Sequence, residues 1–139
     1  MPDVQVKWVG NLEFVGTDTH KHSVVMSSHD EANGTGMSPF DLVAVALGGC
    51  SGMDIVEILQ KKGQALTDLK ASIQSERETK PPHAYKKINV EYVLRGRNLS
   101  KAEVERAIEL SETKYCGVRG TLAKGVEITS TYRIEEEGT

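Results

Sequence analysis

Residues 38–63, SPFDLVAVALGGCSGMDIVEILQKKG, read as one long helix with a weakness at its centre. Ser38 suits a helix N-cap, Pro39 the first helical position, and Asp41 stands where a capping box usually has glutamate. Gly63 is a good C-terminal stop. The helix then spans about 24 residues, or about 36 Å at 1.5 Å per residue. Leu42, Val43, Val45, Leu47, Met53, Ile55, Val56, Ile58 and Leu59 take up most of its circumference, so it needs cover on nearly all sides. A chain of 139 residues struggles to supply that cover alone, which points to a partner subunit. Yet Gly48, Gly49 and Gly52 flank Cys50, and a glycine inside a helix costs about 1 kcal/mol relative to alanine. Something must come close there. It is either another helix crossing tightly, or a small substrate or second sulfur reaching Cys50.

Outward from this helix the chain reads as one domain over residues 1–139, with 38% hydrophobic content for a single core. A net charge of −3 and a pI near 5.8 give no basic excess, so neither nucleic acid nor an anionic membrane is an expected partner. The start, MPDVQVKW, lacks a basic segment followed by an apolar run, and Asp41, Asp54 and Glu57 interrupt the apolar helix. A soluble, cytoplasmic protein is expected.

Val4, Val6 and Trp8 alternate, and Gly10-Asn11 signals a hairpin before Leu12–Val15. A third strand, His22–Met26, follows the polar THKH turn, and residues 27–37 read as a loop. After the helix, Leu69, Ala71 and Ile73 alternate with polar residues, as do Ile88, Val90, Tyr92 and Leu94, with ETKPPHAYKK as the turn between. Ser100 and Glu103 form a capping box for a second helix carrying Val104, Ala107, Ile108, Ser111 and Tyr115 on one stripe to about Cys116-Gly117. Val126 to Ile134 is a last strand. The order β-β-β-α-β-β-α-β gives an α+β fold with largely antiparallel sheet.

Cys50 and Cys116 are the two cysteines. In a reducing compartment such a pair is unpaired, metal-bound or redox-active. There is no CxxC, and His20 and His22 have no cysteine near them in sequence, so neither a zinc site nor a cofactor is expected. A reactive thiol needs help to ionise, since its ordinary pKa of about 8.5 leaves only a few per cent thiolate at pH 7. Cys50 lies about three turns into the helix, where the dipole gives little, and Asp54 and Glu57 share its face. Two carboxylates oppose ionisation unless cations neutralise them. Arg77 is the first candidate cation, because the steps Leu69, Ala71, Ile73, Ser75, Arg77 put it on the core-facing side of its strand; the alternative is a surface arginine paired with Glu76 or Glu78. Arg119, just after Cys116, is the second, or else a residue of a flexible turn. His83, after two prolines, reads as a loop residue.

A hairpin start, SPFDLVAVALGGCSGMD on a long helix, an antiparallel pair and a second helix ending SETKYCGV resemble the OsmC/Ohr family. That family contains the osmotically inducible protein C and the organic hydroperoxide resistance proteins. The resemblance covers essentially the whole chain, and GGCSGMDIVEILQKKG is most similar to the YhfA-like branch. It implies antiparallel sheets wrapped around two long central helices in an intertwined homodimer. It also implies a thiol peroxidase acting on small hydroperoxides: Cys50 peroxidatic, Cys116 resolving, and a dithiol of the lipoamide type as reductant. Sulfenic acid on Cys50 is reversible when a resolving thiol stands near. In an oxidising setting, a disulfide across this long loop would instead act as a staple of about 4 kcal/mol.

Two family features are not matched. The family's peroxidases place glutamate directly after the proline, where this chain has Phe40, with the acid one step later at Asp41. One step rotates a side chain about 100° around the helix. The family's early arginine is also missing; only Lys7 and Lys21 lie in that region, and Asp54 and Arg77 are the local replacements. The rival reading is a non-catalytic dimer of the same fold that holds a small apolar ligand between subunits.

Overall fold

Three strands begin the chain, and the computed structural model describes residues 3–138. β1 (Val4–Gly10), β2 (Glu13–Asp18) and β3 (Ser23–Ser27) form an antiparallel sheet in that order. The first turn falls one residue later than its sequence signal. Asn11 and Leu12 connect the strands, and Gly10 and Asn11 both take positive φ, +120° and +44°. α1 (Pro39–Lys61) starts as expected, with Ser38 Oγ accepting from the Asp41 N–H at 3.1 Å. It stops at Gly63, whose φ of +68° lets the Gln64 N–H reach back to the Leu59 carbonyl.

The second sheet has the order β4 (Ala65–Arg77), β5 (Tyr85–Arg97), β6 (Glu127–Glu136). β5 is central, which explains why Ile88, Val90, Tyr92 and Leu94 are all but completely buried. Burying each of the aliphatic ones stabilises by about 1.5–3 kcal/mol. Leu47, Ile55 and Leu59 of α1 join them, with Val104, Ala107 and Ile108 of α2 (Lys101–Leu110). Ser100 caps α2 by accepting from the Glu103 N–H. The chain divides by its contacts into two compact units, one up to Val45 and one from Ala46 on; the core described here belongs to the second.

Four features depart from the sequence reading. β5 and β6 pair in parallel, because the helices between them carry the chain back across the sheet. After α2 the helix continues as a π-helical turn, Ser111–Tyr115, whose extra residue takes Tyr115 off the buried stripe and leaves it 52% exposed. A short helix, α3 (Gly117–Leu122), occupies what reads as a turn in the sequence. In β4 the alternation lasts only to Ile73: Ser75 is exposed, and an irregularity in register between Glu76 and Arg77 leaves Arg77 exposed too, not core-facing.

α1 is not covered on all sides within the chain. Its buried residues are the single stripe Leu47, Ser51, Ile55 and Leu59, while Met53 is 75% exposed. By length and composition alone it could cross a membrane. Its packed stripe and the hydrogen bond to Asp54 described below seat one face of it on the core.

Candidate active site: the cysteine pair

The glycines of α1 answer to a strand. A Cβ on Gly48 would stand 3.1 Å from Ile73 Cδ1, and one on Gly52 3.7 Å from Leu69 Cδ2, so α1 rests closely on β4. Gly49 has nothing within 4 Å of such a Cβ. It lines an open groove of about 760 Å³ with Gly48, Gly52, Met53, Leu66 and Leu69.

On the same helix Cys50 and Ser51 turn toward Cys116. Both cysteines are free thiols, Cys50 half-buried and Cys116 only 5% exposed. The π-helical turn delivers Cys116: its N–H bonds to the Ser111 carbonyl at 2.8 Å, after which the chain leaves helical geometry and α3 begins. The Cys116 sulfur accepts from Ser51 Oγ at 3.3 Å and from the Arg119 backbone N–H at 3.4 Å, and its thiol also interacts with that of Cys50. Burial pushes the Cys116 pKa up from the ordinary thiol range; the Ser51 and Arg119 donors act against this, and Cys50 adds to it.

Asp54 is tied to the same cluster, since its Oδ2 accepts from Ser111 Oγ at 3.0 Å, and Ser111 is itself fully buried. Glu57, the second carboxylate on the face of Cys50, is exposed and pairs with Lys61 at 2.9 Å, whose hydrogen bond holds its carboxyl below the usual range. Arg119 is 14% exposed in its side chain and clamped from two sides. Its Nη2 donates to the Ile128 carbonyl at 3.0 Å, and its Nη1 lies 3.3 Å from Glu112 Oε1. Ser130 in turn bonds Glu112. Arg77 serves the turn after β4, with Nε donating to the His83 carbonyl at 2.7 Å.

The structure thus brings Cys50, Cys116 and Asp54 into one cluster, to which Arg119 contributes its backbone N–H while its guanidinium is held by Glu112 and the Ile128 carbonyl. Arg77 stands on an exposed strand end. Sequence reasoning missed Ser51, Glu112 and Tyr92 as members. Tyr92 is visible only as a core position of an alternating strand, and Glu112 gives no signal. Among the described residues no group of three or more His, Cys, Asp or Glu is arranged to hold a metal ion.

The family model described as OsmC-like protein matches residues 31–131. The chain belongs to the OsmC-like family. It is 40% identical over 132 residues to Protein YhfA of Escherichia coli strain K12, covering 94% of this chain and 96% of that protein. Among solved structures, a hypothetical protein from Aquifex aeolicus VF5 is 25% identical with a TM-score of 0.88 over 99% of this chain and 98% of that one. The organic hydroperoxide resistance protein OhrB of Bacillus subtilis shares the fold, with a TM-score of 0.64 at 13% identity over 94% of this chain and 96% of its own. The OsmC/Ohr fold, with two sheets and helices, is therefore the fold of this chain.

Proposed function

We propose that this OsmC-like protein is a cysteine-dependent hydroperoxide reductase that works as a homodimer. The observation that carries the reading is the meeting of its two thiols across α1 and the π-helical turn. The Cys50 thiolate attacks the outer oxygen of a hydroperoxide, the O–O bond breaks, and the alkoxide leaves as an alcohol after taking a proton. Cys50 is then a sulfenic acid. Cys116 condenses with it to a disulfide and water, and a dithiol of the lipoamide type restores both thiols while becoming a disulfide itself. Family relatives named for organic hydroperoxide resistance support the substrate class.

The intertwined homodimer is supported by apolar surface within each compact unit. In the first, Val4, Val6 and Trp8 are each about 60% exposed, and Val6, Leu12, Phe14, Met26 and Pro39 line an apolar hollow of about 430 Å³. In the second, exposed Met53 edges the glycine groove. Surfaces of this kind mark interaction sites.

Turnover of cumene hydroperoxide with reduced lipoamide tests the reading. Cys50→Ser should abolish turnover, and Cys116→Ser should stall after one. Full activity in both variants would overturn the assignment. The groove beside Gly49 favours a second reading, a non-catalytic dimer holding a small apolar ligand there. Thiols inert to peroxide together with a co-purified ligand in native mass spectrometry would support it.

A further inference from the structure

Two buried donors beside Cys116 have no hydrogen-bond acceptor. Tyr92 is 0% exposed, yet its hydroxyl donates to no acceptor. Ser51 is its hydroxyl neighbour and acts on it as a hydrogen-bond donor to the phenol oxygen, which leaves the phenol's own proton without an acceptor, and Glu112, Arg119 and Cys116 act on it through their charges. Arg119 Nη1 is held by Glu112 as an ion pair at 3.3 Å, outside hydrogen-bond geometry. A buried hydroxyl proton without an acceptor costs about 1–3 kcal/mol, and such a group calls for an explanation. The Ser51 hydroxyl is already engaged with the Cys116 sulfur. Cys116 is the group in this cluster whose charge changes during the proposed reaction, and it sits where the field of Tyr92 is felt.

We propose that Tyr92 is a catalytic residue of the resolving step, its phenolic O–H donating a hydrogen bond to Cys116 Sγ as that sulfur becomes a thiolate. This deepens the hydroperoxide reductase reading and rests on it for the step concerned. The Cys116 thiolate attacks the sulfur of the Cys50 sulfenic acid, the S–S bond forms and the S–O bond breaks. The departing hydroxide takes up the proton that Cys116 gave away and leaves as water. Tyr92 keeps its own proton throughout. Burial holds its pKa above the ordinary phenol value, so it stays a donor at any pH where Cys116 ionises. In the reduced thiol state Cys116 carries no charge for the hydroxyl to serve, and the charged neighbours Glu112 and Arg119 are paired with each other. The groups that act on Cys116 are Cys50 and Ser51 from α1, the backbone N–H of Arg119 from α3 and Tyr92 from β5, with Asp54 linked to the cluster through Ser111. Glu112 and the Arg119 side chain face Tyr92 and pair with each other, which leaves the balance at Cys116 to the local donors.

The test is an ultraviolet titration of the Cys116 thiolate in the Cys50→Ser chain, with and without Tyr92→Phe. Loss of a donor to a charged acceptor should raise the midpoint by about one pH unit, a tenfold smaller thiolate fraction below it. Ser51→Ala, which removes a donor seen in the structure, is the positive control. Thermal stability separates this from a structural role. Removing a buried hydroxyl whose proton lacks an acceptor, while keeping the ring, should leave the melting temperature unchanged or higher. An unmoved Cys116 midpoint, or a fall in melting temperature, would overturn the proposal. With Cys50 present, Tyr92→Phe should slow disulfide formation about tenfold while sulfenic acid forms at the parent rate. If no sulfenic acid forms in either chain the peroxidase reading fails, and the titration still judges Tyr92.

Discussion

Alanine at two glycines of the same helix should give different results, and the reason is a single methyl group. A Cβ at Gly52 meets Leu69 Cδ2 at 3.7 Å, an ordinary contact, so Gly52→Ala should gain the full helix-propensity difference of about 1 kcal/mol. A Cβ at Gly48 meets Ile73 Cδ1 at 3.1 Å and Ala71 Cβ at 3.6 Å. The Ile73 terminus must then yield, and an off-rotamer side chain costs about 0.5–1.5 kcal/mol. The same propensity gain is therefore cancelled, and Gly48→Ala should fall within about 0.5 kcal/mol of the parent. Urea unfolding of the reduced protein at one fixed concentration measures both, since the stability of the proposed dimer would depend on concentration. A difference near 1 kcal/mol corresponds to about 3–5 °C in melting temperature for a domain of this size. Ile73→Val removes the offending methyl, so the double variant Gly48→Ala/Ile73→Val should recover about 1 kcal/mol relative to additivity. If Gly48→Ala stabilises as much as Gly52→Ala and shows no coupling to Ile73→Val, close approach of β4 is not why position 48 is glycine.

Three further outcomes follow from the same contacts. Because burial raises the folded-state pKa of Cys116, the unfolded chain releases this proton first; stability should fall as pH rises above about 8.5, toward the higher folded value. Urea midpoints from neutral to alkaline pH under reductant should show that fall, and Cys116→Ser should flatten it. Arg119→Met leaves Glu112, 19% exposed in its side chain, without its cation, and should cost about 2 kcal/mol, between the values for surface and buried pairs; a melting temperature equal to the parent's would show that the clamp on α3 carries no energy. Met53→Lys places a charge on a side chain that is 75% exposed in the single chain, so if the protein is the proposed dimer a folded monomer should replace it in sedimentation; a dimer unchanged by the substitution would exclude this face of α1 from the interface.

How far the sequence speaks for itself differs from element to element. Both ends of α1 and the start of α2 are local chemistry, written in Ser38, Pro39, Gly63 and Ser100, and they stand where the sequence puts them. The core strand β5 is legible because strict alternation and burial on a central strand coincide. The parallel pairing of β6 is not local, since it depends on where the intervening helices carry the chain. The π-helical turn and α3 carry no composition of their own, yet they bring Cys116 to Ser51 of α1 and Arg119 to Cys116 and Glu112. In the cysteine cluster, Cys50, Cys116 and Asp54 are readable from residue type and helical spacing. Arg77 follows from an alternation whose inward-facing run stops at Ile73, with an irregular register immediately before Arg77. Arg119 displays its role only once α3 is folded, and Tyr92 and Glu112 display theirs only through burial and neighbours.

The most direct measurement is the intact mass of the reduced protein before and after one equivalent of cumene hydroperoxide. Rapid loss of two hydrogens in the parent chain, absent in Cys50→Ser and in Cys116→Ser, is the result expected if the two thiols meet and reduce peroxide. An unchanged mass over minutes would contradict the peroxidase account and leave the glycines of α1 with a role in packing or in holding a bound ligand.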